Sequence, residues 1–159
     1  MSDKISTWLW FDTQGQEAAE FYCSLFPNSR ITEVTEYGEA GPREAGTVMT
    51  VSFELDGRPF NALNGGPDFT FNEAVSHMVS CEDQDEVDRY WSALTADGGQ
   101  EGPCGWCKDR FGLSWQIVPK ALDELRRDPD HDRAQRAFAA MLTMGKIDVA
   151  ALYAAADGD

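Results

Sequence analysis

The sequence predicts an α+β fold in two halves that share one order of elements, strand–helix–strands, followed by a helical tail. Three observations carry that expectation. Short runs rich in β-branched and aromatic residues alternate apolar with polar positions, the signature of half-buried strands. One stretch in each half places apolar residues at helical spacing instead. After Pro119 the alternation stops and helical signals take over.

Taken in order, Ile5 to Phe11 reads as the first strand, broken by Asp12-Thr13-Gln14-Gly15. Ala18, Phe21, Tyr22, Leu25 and Phe26 then form the stripe of an amphipathic helix that stops at Pro27-Asn28. Arg30 to Tyr37 is a second strand, and the Gly- and Pro-rich stretch from Gly38 to Pro42 is a loop. Thr47 to Leu55 puts Met49, Val51, Phe53 and Leu55 on one face. Asp56-Gly57 signals a hairpin, and Arg58 to Leu63 returns as a fourth strand closing at Asn64-Gly65-Gly66.

The second half repeats the order. Glu73 to Cys81 is a strand, and Asp83 to Ala96 is a helix with Val87, Tyr90, Trp91 and Leu94 on its buried side. Gly102 to Lys108 and Leu113 to Val118 are strands joined by Asp109-Arg110-Phe111-Gly112. This half is one strand short unless Gln100-Glu101 or Thr70 to Asn72 supplies it. Phe21-Tyr22 on the first helix corresponds to Tyr90-Trp91 on the second.

In the tail, Ala121 to Arg127 is a short helix. Asp128-Pro129 is expected to cap and open a longer one through Met141, ended by Gly145. Asp148 caps a last helix through Ala155. Phe138, Met141 and Leu142 make an apolar stripe that must dock on a sheet or on a second subunit. The expected organisation is a paired domain over residues 1–119, with halves at about 1–66 and 70–119, and a helical extension over 120–159.

Composition narrows the function. A net charge of −15 opposes binding to nucleic acid or anionic membranes. No apolar run reaches the ~18–20 residues of a membrane span. Met1-Ser2-Asp3-Lys4-Ile5 shows no basic region followed by an apolar stretch, so the expected location is cytoplasmic, with the four cysteines reduced.

Several blocks together resemble one known group. Phe11-Asp12 through Glu17-Ala18 and Phe21-Tyr22 to Phe26-Pro27-Asn28-Ser29 is similar to the first βα unit of PhnB-like proteins of the vicinal-oxygen-chelate (glyoxalase/bleomycin-resistance) superfamily. Ala62-Leu63-Asn64-Gly65-Gly66, Val79-Ser80-Cys81-Glu82-Asp83-Gln84, Cys104-Gly105-Trp106 with Lys108-Asp109, and Trp115-Gln116-Ile117-Val118-Pro119 extend the match along nearly the whole chain. The resemblance implies two βαβββ modules around a shared cleft, a homodimer and, in some relatives, a bound metal. Members often carry a demethylubiquinone methyltransferase label. No Gly-rich strand-to-helix loop of the kind that binds S-adenosylmethionine or a dinucleotide is present.

In metal-dependent relatives the ligands are His, Gln or Glu on the first and last strands of each module. Carried over, those positions fall near Ser6 or Thr7, on Ser76, on Gln116, and on Asn61 or Asn64. Alternation puts Ile5, Leu9 and Phe11 toward the helix and Ser6, Trp8 and Trp10 toward the cleft. It likewise puts Val75, His77, Val79 and Cys81 on the helix side. Ser, Gln and Asn are neutral, weak ligands, so no metal and no cofactor is expected.

The expected binding residues are Trp8, Trp10, Met78 and Trp106 as apolar walls, with Asn61, Ser76 and Gln116 orienting a small neutral or aromatic molecule. A metal-dependent lyase or dioxygenase and a drug-sequestering resistance protein are the alternatives. His77 is read as a packed strand residue more than a general base, His131 as solvated, and Asn64 as turn chemistry more than a ligand. Cys104-Gly105-Trp106-Cys107 is a CxxC placed in a strand, a poor setting for a redox pair. No catalytic residue stands out.

Overall fold

The computed structural model describes residues 4–159; Met1-Ser2-Asp3, read above for a leader, lie outside them. The chain divides into two compact units, residues 1–70 and 71–159. Each contains the same βαβββ order.

In the first unit, β1 (Thr7–Phe11) leads to α1 (Gly15–Leu25), then β2 (Arg30–Glu36), β3 (Val48–Leu55) and β4 (Arg58–Asn64). The sheet order is β1-β4-β3-β2, with β1 parallel to β4 and the other pairs antiparallel. A parallel pair needs a long crossover, supplied here by everything between β1 and β4. Leu9, Phe11, Val51, Phe53 and Ala62 are buried, as are Ala18, Ala19 and Tyr22 of α1, whose ring lies 6.4 Å from that of Phe53. At the hairpin, Asp56 and Gly57 both take positive φ (48° and 73°), the conformation a two-residue turn of matching twist requires.

The second unit repeats the plan. It comprises β5 (His77–Cys81), α2 (Gln84–Thr95), β6 (Gln100–Glu101), β7 (Trp106–Lys108) and β8 (Ser114–Pro119), in the sheet order β5-β8-β7-β6. Gln100-Glu101 is thus the strand the pattern lacked. Asp83 caps α2 by accepting from the Glu86 amide at 3.0 Å. Tyr90 and Trp91 are buried at the same place along α2 as Phe21 and Tyr22 occupy along α1.

Three tail helices, α3 (Lys120–Arg126), α4 (His131–Met141) and α5 (Val149–Asp157), pack around Leu125, Ala137, Ile147, Leu152 and Ala156. They belong to the second unit. The Cys104 and Gly105 amides donate to the carbonyls of Met144 and Gly145, and Gln84 donates to that of Ile147. None of the described helices is long and apolar enough to cross a membrane.

Several boundaries differ from the sequence reading. The first strand begins at Thr7, leaving Ile5 88% exposed and not against the helix. Glu73 to Ser76 precede β5 as a turn, and Val75 is exposed where alternation had placed it inside. Cys104 and Gly105 have φ of 58° and 81°, which no strand accommodates, so the CxxC begins in a turn and only its second half is strand. Asp130, not Asp128, caps α4, because its carboxylate meets the amides of both Asp132 and Arg133. Asp128 instead accepts from the Asp130 amide and pairs with Arg133. That helix ends at Met141 as expected, but Leu142 donates to the Phe138 carbonyl there, so Gly145 is not what ends it.

Candidate functional site

Register decides which side chains meet. On β1, β4 and β3, Trp8 stands beside Asn61 and Asn61 beside Ser52, one row across the sheet face opposite α1. The Ser52 hydroxyl donates to Asn61 Oδ1 at 2.9 Å. In the second unit Met78 stands beside Gln116 and Gln116 beside Trp106, the equivalent row on the face opposite α2. There Gln116 Nε2 donates to Ser76 Oγ at 2.8 Å. Each unit therefore presents an amide at the centre of its open face, held by a hydroxyl and flanked by a large apolar side chain. Trp8 and Met78 are 56% and 59% exposed, so the flanking surface is uncovered.

The two first-strand tryptophans differ. Trp8 is tied locally, its Nε1 donating to Ser6 Oγ at 3.1 Å. Trp10 is fastened: its Nε1 donates to the Gly66 carbonyl at 2.8 Å, and its ring meets Phe69 edge-on at 4.9 Å. Gly65 lies directly beneath that indole, where a Cβ would fall 2.3 Å from the ring.

Opposite the open faces the side chains are structural. Asn64 is buried, its Oδ1 accepting from the Gly15 amide at 2.7 Å and its Nδ2 donating to the Val48 carbonyl at 3.1 Å. It caps α1 from the neighbouring strand, since Gln14 provides no side-chain cap. This role is neither the turn nor the ligand that the sequence offered. His77 lies on the α2 side with its ring 5.5 Å from Trp115, and burial pulls its pKa down against the opposing field of Asp109. Asp109 is itself buried. It accepts from the amides of Phe111 and Leu113 and from Trp115 Nε1 at 2.9, 3.1 and 2.8 Å. Cys107 pairs with Trp115 in register and burial pushes its thiol up to about 12, as it does that of Cys81.

A cavity of about 410 Å³ in the second unit is lined by Trp106, Lys108, Glu73, Gln100, Cys104 and Ser114, among others. Of the expected site residues it takes in Trp106 alone. Lys108 and Ser114 are register partners on the Gln116 face. The same alternation that selected Trp106 and Gln116 reaches them two positions away, after Trp106 on β7 and before Gln116 on β8. Glu73, which pairs with Lys108, comes from the turn before β5 and has no sequence signal.

The superfamily's metal does not fit this donor set. Asn61, Ser76 and Gln116 are uncharged, and among the described residues no three His, Cys, Asp or Glu side chains gather where an ion could bind.

Two βαβββ units of identical sheet order, each with an open polar face, define the two-module α+β fold of the glyoxalase-like proteins in the vicinal-oxygen-chelate superfamily. Within it the chain belongs to the PhnB-like family described as 3-demethylubiquinone-9 3-methyltransferase, whose model matches residues 3–118. A putative 3-demethylubiquinone-9 3-methyltransferase, PhnB protein, of Bacillus cereus is 34% identical with a TM-score of 0.66, over 74% of this chain and 99% of that one. A protein of Pseudomonas aeruginosa shares the fold at 20% identity and a TM-score of 0.59, over 74% and 98% of the two chains. The fosfomycin resistance protein FosX of Listeria monocytogenes does so at 13% and 0.50, over 75% and 93%. No curated protein matches the sequence.

Proposed function

We propose that this glyoxalase-like domain binds a small neutral or aromatic molecule on the open faces of its sheets, without a metal. The observation that carries the reading is the row Met78–Gln116–Trp106, with Gln116 held by Ser76. A polar amide among apolar neighbours orients a ligand through hydrogen bonds while the walls supply contact area. The row Trp8–Asn61–Ser52 in the first unit gives the same combination.

Methyl transfer, named in the family's description, finds no support in the local structure. α1 is entered through Asp12-Thr13-Gln14 and α2 through Glu82-Asp83, neither a glycine-rich phosphate-cradling loop. Binding alone, as in sequestration, needs no further group. A homodimer is part of the same reading, supported by Phe138 of α4 and Leu142 just after it, both about half exposed; light scattering should return twice the 17.6 kDa chain mass.

The test is a thermal-shift screen of planar aromatic compounds against the wild type and Gln116→Leu. Compounds that stabilise the wild type should lose most of their shift in the variant, while the two ligand-free proteins melt alike. If Gln116→Leu melts several degrees lower without ligand, or retains every shift, the amide is structural and the reading fails.

A further inference from the structure

We propose that the cavity over β6 and β7 of the second unit is a subsite for an aromatic carboxylate, held ring-to-indole on Trp106 with its carboxylate on Lys108 in place of Glu73. The inference deepens the open-face reading and rests on it for Trp106, while its own content is the charge of the ligand.

Three observations converge. First, the cavity volume of about 410 Å³ lies near the lower end of the range for small-molecule sites, room for a ligand of one or two rings. Second, Trp106 supplies one wall, and an indole face favours a planar partner. Third, Lys108 lies in the lining and its ammonium already grips a carboxylate, that of Glu73. In a chain with 28 acidic and 13 basic residues the overall field repels anions, so an anionic ligand binds only where a local cation is aimed at it.

Glu73 is the occupant to be exchanged. It sits in the turn before β5, and its carboxylate is more than half exposed. An exposed ion pair of this kind is held weakly, so a carboxylate that also brings a ring onto Trp106 outcompetes it without leaving a buried charge unpaired. The exchange keeps the local charge balance and returns Glu73 to water.

The experiment uses the full chain and two probes of one shape, 2-naphthoate and its neutral amide 2-naphthamide, titrated by calorimetry at pH 7.5. Wild type should bind naphthoate more tightly than naphthamide. Lys108→Met should weaken naphthoate at least about tenfold and leave naphthamide within about twofold. Glu73→Gln removes the internal competitor and should tighten naphthoate about two- to fivefold. Circular dichroism establishes that both variants are folded. Equal affinity of the two probes for the wild type, or naphthoate binding unchanged or weakened in Glu73→Gln, overturns the proposal. These outcomes separate from failure of the open-face reading, which is judged on whether naphthamide binding falls in Gln116→Leu.

Discussion

Replacing Asp109 by alanine should cost more stability than any other single change near the site. The side chain is 2% exposed and ties the β7–β8 hairpin together by accepting from two backbone amides and one indole. Hydrogen bonds to a charged acceptor contribute roughly 1.5–3 kcal/mol each, so three lost at the lower figure give about 4–5 kcal/mol. At a urea slope of about 2 kcal/mol/M, the midpoint should fall by roughly 2 M. Asp109→Asn separates charge from shape. Its amide oxygen can still serve the Phe111 and Leu113 amides, but its NH₂ then faces the Trp115 N–H, donor against donor. About half the loss is expected. The assay is urea denaturation followed by tryptophan fluorescence and circular dichroism together, so that a local change at Trp115 is not mistaken for unfolding. A loss below about 1 kcal/mol in Asp109→Ala would refute the reasoning, because it would mean that the hairpin holds itself.

Other outcomes follow from the same structure. His77 has its pKa lowered by burial, so on acidification the unfolded chain takes up that proton first, beginning near pH 6.5. The contribution is complete above that value and is lost as pH falls toward the folded pKa. The urea midpoint should therefore decline from pH 7.5 to 5.5 in the wild type and less steeply in His77→Gln; parallel profiles would contradict this. Of the four thiols, Cys81 and Cys107 are buried and raised to about 12, and Cys23 is also raised by burial, whereas Cys104 lines the same cavity as Cys107 but is only part-buried. Mass spectrometry after brief iodoacetamide treatment should find Cys104 labelled first, and equal labelling of Cys107 would count against the described burial. Gly65→Ala should expel the Trp10 indole, seen as a shifted emission maximum and about 1–3 kcal/mol of lost stability; unchanged emission would show that the close approach is relieved elsewhere.

Much of this was readable from alternation alone. The pattern of β8 separates Trp115, buried on Asp109, from Gln116 on the open face, and the register bears that out. It failed where an element is too short or the chain leaves extended geometry. Gln100-Glu101 is two residues, below any periodicity, and Ile5 and Val75 precede the strands to which they were assigned. Cys104 looked like strand because nothing local announces a positive φ at a non-glycine residue. Asn64 and Glu73 were illegible for another reason. Their roles are tertiary, one capping a helix from 49 residues away and the other pairing from a turn with a lysine on β7. Lys108 and Ser114 could have been found, since they continue the faces of Trp106 and Gln116.

The central claim is that neutral amide and hydroxyl groups, not a metal, orient a ligand on the open sheet faces. Its most direct test is one titration of 2-naphthamide into chelator-treated protein, repeated after stoichiometric Zn²⁺, Ni²⁺ or Fe²⁺ is added. The same affinity is expected in every case, with at least about a tenfold loss in Gln116→Leu, where an apolar side chain replaces a hydrogen-bonding amide. Binding that appears only with the metal, and that Gln116→Leu leaves intact, would contradict it.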